Sequence, residues 1–170
     1  ENPAQDIPLD VVYEDDDVCI VCKPAGLLSV PGKSGRASVL TAMRRRFPDS
    51  PSPLIVHRLD MATSGLMIIA KTMQAYHDLQ RQFANHEIRK RYVAVLSRPL
   101  PDDTPKEGRV SLSIRPDLDD RPRQLVDFVH GKPAQSRFCL LRVIDGRQLI
   151  ALTPVTGRTH QLRMHCAHQL

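Results

Sequence analysis

The sequence has no tryptophan, and aromatic residues make up only 4% of its 170 positions, so aliphatic side chains must fill its core. No apolar run approaches the roughly 20 residues that a membrane-spanning helix needs. The first stretch, Glu1 to Asp10, lacks the basic and apolar regions of a secretory signal peptide. A soluble cytoplasmic protein with no membrane partner is expected. Cysteine is sparse, at four residues. Cys19 and Cys22 form a C-x-x-C, but no second such pair accompanies them. They fall in the apolar run Val18 to Cys22, which reads as a buried strand, where positions three apart point to opposite faces. No metal site is expected, and the thiols fit a reducing compartment. There is no internal repeat and no linker.

The hydrophobic share of 41% and charged share of 25% are those of a globular chain. Its length suits one compact domain and is short for two of ordinary size. The formal charge is +5, clumped at Arg44, Arg45 and Arg46 and again at Arg89, Lys90 and Arg91. Such clusters suit phosphates as well as solvent, so charge alone leaves nucleic acid open as a partner.

Local signals predict the elements. The strand through Cys22 runs into a Pro-Gly turn at Lys23-Pro24-Ala25-Gly26. Ser38 is placed to cap a short helix with Val39, Leu40, Met43 and Phe47 on its apolar face and the three arginines outside. A strand is expected at Leu54-Ile55-Val56 and another at Leu66 to Ala70, with a polar loop between them. Thr72 caps a helix bearing Ala75, Leu79 and Phe83. Further strands are expected at Arg89 to Leu96, Val110 to Ile114 and Leu125 to Val129, then a hairpin around Asp145-Gly146 and a last helix after Gly157. This order indicates an α+β domain with a mixed, largely antiparallel central sheet flanked by a few helices.

The polar loop, His57-Arg58-Leu59-Asp60-Met61-Ala62-Thr63-Ser64-Gly65, resembles the H-R-L-D-x-x-T-S-G signature of the RluA family of pseudouridine synthases. Lys23-Pro24-Ala25-Gly26-Leu27 is similar to the family's first motif, and Arg91-Tyr92-Val93-Ala94 to its tyrosine-bearing strand. Gly157-Arg158-Thr159-His160-Gln161-Leu162-Arg163 is similar to its third. Leu28 to Gly32, Met61-Ala62 and Gly131 to Gln135 are similar to the dual rRNA/tRNA branch.

The resemblance implies the pseudouridine synthase fold and an RNA isomerase that uses neither metal nor organic cofactor. Its partner would be structured RNA, a stem-loop of large-subunit (23S) rRNA and/or tRNA, and not DNA, with the protein acting as a monomer. It further implies that residues 1–170 are a catalytic domain lacking its C-terminal segment and without an S4 domain.

In that setting Asp60 is the essential carboxylate, acting on the sugar, on the base or on a ribose proton. Arg163 is the cation implied to pair with it through two hydrogen bonds, favouring the ionised form. Tyr92 would stack on the uracil and take part in proton transfer. Arg58 would enter the RNA stack as the uridine leaves it, and Leu162 would contact the substrate. His57 and His160 read as structural hydrogen-bonding groups. One rival reading is an idle RNA-binding or ribosome-assembly module of the same fold, which has no need of a paired carboxylate. Another is a nucleoside glycosidase, which would use two carboxyl groups where only one stands out here.

Overall fold

The computed structural model describes residues 8–32, 36–51, 54–168 and 170. Most of the first stretch, Glu1 to Asp10, and Ser52 and Pro53 lie outside them. The chain divides into two compact units, Glu1–Glu87 and Ile88–Leu170.

In the first unit, β1 (Asp10–Glu14), β2 (Val18–Lys23) and β3 (Gly65–Ala70) form an antiparallel sheet in the order β1-β2-β3. Period-two burial runs along β2, with Cys19, Val21 and Lys23 inward and Val18, Ile20 and Cys22 half-buried. Helix α1 (Val39–Arg46) starts where expected. The Ser38 hydroxyl accepts from the Thr41 amide while the Thr41 hydroxyl accepts from the Ser38 amide, a reciprocal cap. Arg44, Arg45 and Arg46 lie exposed in its last turn, where positive charge meets the negative end of the helix dipole. Helix α2 (Met73–Ala84) is capped by Thr72. It packs Leu79, with Ala75, Tyr76 and Phe83, on a core that includes Val56 and Ala70.

The expected strand at Leu54 to Val56 does not form. Leu54 has a φ of 68°, in the left-handed region, and the segment makes only one isolated antiparallel bridge, Ile55 to Ile69.

The second unit is a five-stranded antiparallel sheet in the order β4-β8-β7-β5-β6. It comprises β4 (Tyr92–Val95), β5 (Glu107–Pro116), β6 (Gln124–Val126), β7 (Lys132–Ile144) and β8 (Arg147–Pro154). Asp145 and Gly146 turn β7 into β8 with φ of 49° and 73°, the two positive values that a two-residue hairpin turn requires. Strand β5 is longer than the expected Val110 to Ile114. Its inward Val110, Leu112 and Ile114 join Ala134, Phe138, Ile150 and Leu152 in one core, against which α3 (Gln161–His168) packs Leu162, Met164 and Cys166. The α+β class with antiparallel sheets and three helices is the one expected, and its strands fall into two sheets, one in each unit.

Candidate active site

Register places the polar loop. Lys23 at the end of β2 stands opposite Gly65 at the start of β3, so the chain leaving β2 runs beside the chain entering β3. Three side chains or amides from the first fasten the second. The Ser29 hydroxyl donates to the Leu59 carbonyl at 2.7 Å and accepts from the Leu59 amide at 3.0 Å. The Gly26 amide donates to the Met61 carbonyl at 2.7 Å. The Lys23 ammonium, fully buried, donates to the carbonyls of Leu27 at 2.7 Å, Pro24 at 3.0 Å and Met61 at 3.1 Å.

Asp60 therefore sits between two residues whose backbones are both tied down. Its own carbonyl accepts from the Thr63 amide at 3.0 Å, closing a turn. The Asp60 residue is half-buried and Arg58 is exposed.

An ammonium has three donors and no acceptor, and here all three meet carbonyl oxygens. Burial pushes the Lys23 pKa down, and the Asp60 carboxylate nearby opposes that shift. The histidine that opens the motif is part of the scaffold: His57 Nε2 accepts from the Ile68 amide at 3.0 Å, and its ring stacks on Phe83 of α2 at 4.8 Å. The Gln80 side chain donates to the Val56 carbonyl at 3.3 Å.

Tyr92, Leu162 and Arg163 belong to the second unit. Tyr92 opens β4 opposite Leu152 and packs half-buried on the core. The loop from β8 into α3 is held by Gln161, which is only 3% exposed. Its amide donates to the Gln135 carbonyl at 2.8 Å and the Ser136 hydroxyl at 2.9 Å. Its oxygen accepts from the Thr156 hydroxyl at 2.7 Å and the Arg158 amide at 3.0 Å. His160, just before α3, has a φ of 53°. Leu162 is half-buried against the core, and Arg163, one residue on, is exposed.

Sequence reading assigned no role to Lys23, Ser29 or Gln161. For Lys23 a signal was present: it continues the inward alternation of Cys19 and Val21. Cys19 and Cys22 take opposite faces of β2, the first buried and the second half-buried, and all four cysteines are free thiols. Among the described residues no helix is long and apolar enough to cross a membrane.

A model of the RNA pseudouridylate synthase family matches residues 17–168. The dual-specificity RNA pseudouridine synthase RluA of Escherichia coli K12 is 43% identical over 167 residues, covering 96% of this chain and 74% of that protein. The protein of the same name from Haemophilus influenzae is 41% identical with the same coverage. That from Yersinia pestis is 42% identical over 158 residues, covering 91% of this chain and 74% of its own.

Among solved structures, human RNA pseudouridylate synthase domain containing 1 superposes with a TM-score of 0.77 at 26% identity. It covers 98% of this chain and 67% of its own. Human RNA pseudouridylate synthase domain containing 4, with a TM-score of 0.72 at 23% identity and coverage of 94% and 64%, has the same fold. With the motif loop fastened between two strands and the family match running through both units, the chain belongs to the RluA family of RNA pseudouridine synthases, enzymes that isomerise uridine in RNA.

Proposed function

We propose that Asp60 is the essential carboxylate of this isomerase and that the target is a uridine in a stem-loop of large-subunit (23S) rRNA or of a tRNA anticodon arm. The observation that carries the reading is the fastening of Leu59 and Met61 on either side of Asp60 by Ser29, Lys23 and Gly26. A carboxylate on a loop fixed to a sheet is held ready for a reacting atom, and such positioning is a large part of catalysis.

In the reaction the C1′–N1 bond breaks, the base turns, and C5 joins C1′. The proton on C5 is lost and N1 gains one, so substrate and product are isomers and no co-reactant is consumed. Tyr92 stacks on the uracil and serves the C5 proton, and Arg163 pairs with Asp60 through two hydrogen bonds. Arg58 enters the stack that the flipped uridine leaves, and Leu162 contacts the base. Exposure of Arg58 on the motif loop supports its part. Residues 1–170 act as a catalytic domain, a reading that the family match over 17–168 supports, and the protein acts as a monomer in the cytoplasm.

The test is to incubate the full-length protein with total RNA and map new pseudouridines, alongside Asp60→Asn and Arg163→Met. Wild type should modify rRNA or tRNA. Asp60→Asn, nearly isosteric but uncharged, should give no product while RNA affinity stays within about threefold, and Arg163→Met should be nearly inactive. Turnover by Asp60→Asn within tenfold of wild type would sink the assignment of the carboxylate. Product confined to mRNA would overturn the target.

A further inference from the structure

The geometry points to Ser29 as a positioning residue for Asp60, an inference that rests on the role proposed above for that carboxylate. Its hydroxyl meets both backbone polar groups of one residue, donating to the Leu59 carbonyl at 2.7 Å and accepting from the Leu59 amide at 3.0 Å. Leu59 is the residue immediately before Asp60: the bond to its carbonyl restrains the 59–60 peptide, which carries the Asp60 Cα, and the bond from its amide restrains the 58–59 peptide before it. A hydroxyl has one donor and two acceptor lone pairs. Both kinds are used here in a place with little access to water, Ser29 being 4% exposed and Leu59 9%. The Met67 sulfur lies at 3.5 Å from the same oxygen.

Ser29 is itself anchored by a separate element. Its carbonyl accepts from the Leu40 amide at 3.1 Å, and the carbonyl of Leu28 accepts from the Val39 amide at 2.8 Å. These are the first two amides of α1, groups with no partner inside their own helix. The start of α1 thus holds the 28–29 backbone, and the Ser29 side chain passes that constraint to Leu59. Lys23 and Gly26 restrain the other side of Asp60 at Met61. Loss of the serine hydroxyl leaves the loop attached at Met61 and free to pivot at Leu59. A displacement of about 1 Å at a reacting group costs on the order of 100-fold in rate, whereas RNA held through its backbone by other residues is little affected. Ser29 therefore controls kcat far more than RNA affinity.

The experiment compares wild type, Ser29→Ala and Ser29→Cys in the full-length enzyme, acting on a stem-loop RNA that wild type modifies. Single-turnover rate, RNA Kd and Tm are measured for each. Thr72→Ala, which removes the cap that the Thr72 hydroxyl offers to the Ala75 amide at 3.2 Å at the start of α2, serves as a control for general loss of stability.

Ser29→Ala should lose at least tenfold in rate with Kd within about threefold, and Ser29→Cys, a weak and longer-reaching donor, should fall between. Thr72→Ala should lower Tm while keeping wild-type rate. If Ser29→Ala does not fold at the assay temperature, the Cys variant alone decides, by a drop of threefold or more in rate at unchanged Kd. Rates within twofold across the serine series, or a change confined to Kd, would overturn the inference. Asp60→Asn run beside them separates the two claims: an inactive Asp60→Asn with a fully active Ser29→Ala removes only the role of Ser29, while an active Asp60→Asn removes the reading on which it rests.

Discussion

The loop around Asp60 in the first unit and the loop before α3 in the second are built on the same plan with different chemistry. Each is a polar segment at a strand end, and among the groups that fasten each is a buried long side chain whose hydrogen-bonding groups are all directed at nearby chain. In the first the fastener is an ammonium, Lys23, which offers only donors and meets three carbonyls. In the second it is an amide, Gln161, which offers donors and an acceptor and meets a carbonyl, two hydroxyls and an amide. The difference is in what burial costs. Taking a charge from water is expensive unless it is fully hydrogen-bonded, and the lowered pKa of Lys23 records part of that cost. A neutral amide costs less to bury and does not titrate. The charged fastener gives stronger bonds to carbonyls, and it is found where the proposed carboxylate is displayed.

The largest effect should follow from breaking the charged fastener. Lys23→Met keeps most of the stem and takes that donor from the Leu27 and Pro24 carbonyls, while the Met61 carbonyl keeps its bond from the Gly26 amide. Each unsatisfied buried group costs about 1–3 kcal/mol, offset in part because the desolvated charge is also gone, so a net loss of about 2–4 kcal/mol in denaturant unfolding is expected. Turnover should fall on the order of 100-fold, and amide exchange should rise within 57–65 while 155–161 stays protected. Unchanged exchange in 57–65 would show that the lysine does not hold the loop.

Gln161→Leu breaks the neutral fastener and should cost less, about 1–3 kcal/mol. The reason is local: the Thr156 hydroxyl already lies 3.5 Å from the Gln135 carbonyl and can turn to it, and the Ser136 hydroxyl can rotate. Exchange should now rise in 155–161 and not in 57–65. If Gln161→Leu proves more damaging than Lys23→Met, the ordering of charged over neutral fastener is wrong.

Features set by neighbours in sequence were legible before the structure. Ser38 and Thr72 cap their helices because a hydroxyl reaches an amide three residues on, and Asp145-Gly146 turns a hairpin because those residues tolerate positive φ. The motif loop was legible as a candidate site through its resemblance to the family signature. Features set by distant partners were not. Leu54 leaves the strand region although its neighbours are apolar, its carbonyl accepting from the Ala70 amide at 2.9 Å. Ser29 looks like an ordinary loop serine until Leu59, 30 positions away, is placed beside it. Gln161 acts through Gln135 and Ser136, 26 and 25 positions away. Period-two reasoning could have carried Lys23 inward, but a lysine at the end of a strand is usually solvated.

The smallest effect separates the two units by their acid response. Asp127, in the second, accepts from Arg115 Nε at 2.6 Å and from the amides of Val129 and His130, both at 2.9 Å. The Arg115 bond first, then the two amides, hold its carboxyl well below the ordinary value of 3.8. A carboxylate with a depressed folded pKa adds stability above its unfolded pKa and loses it as pH falls toward the folded one. The stability from Asp127 is therefore complete at neutral pH and declines below about pH 4.

In the first unit Glu14 is also lowered, by hydrogen bonds from Arg46 and then Lys71, but its partners are charged side chains near the surface, whose attraction salt screens. Two of the three Asp127 bonds come from backbone amides, which salt screens far less. Asp127→Asn can keep its amide oxygen on the Val129 and His130 amides, while its NH₂ replaces the oxygen that met Arg115. A modest loss of stability at pH 7 is expected, smaller than for Gln161→Leu. The gap between wild type and Asp127→Asn should narrow steadily as pH falls from 5 to 2, and most of the gap at pH 7 should survive 0.5 M salt. For Glu14→Gln the corresponding gap at pH 7 should nearly vanish in that salt. An Asp127→Asn gap that is constant across the acid range would show that its carboxyl is not held in the ionised form by these three donors.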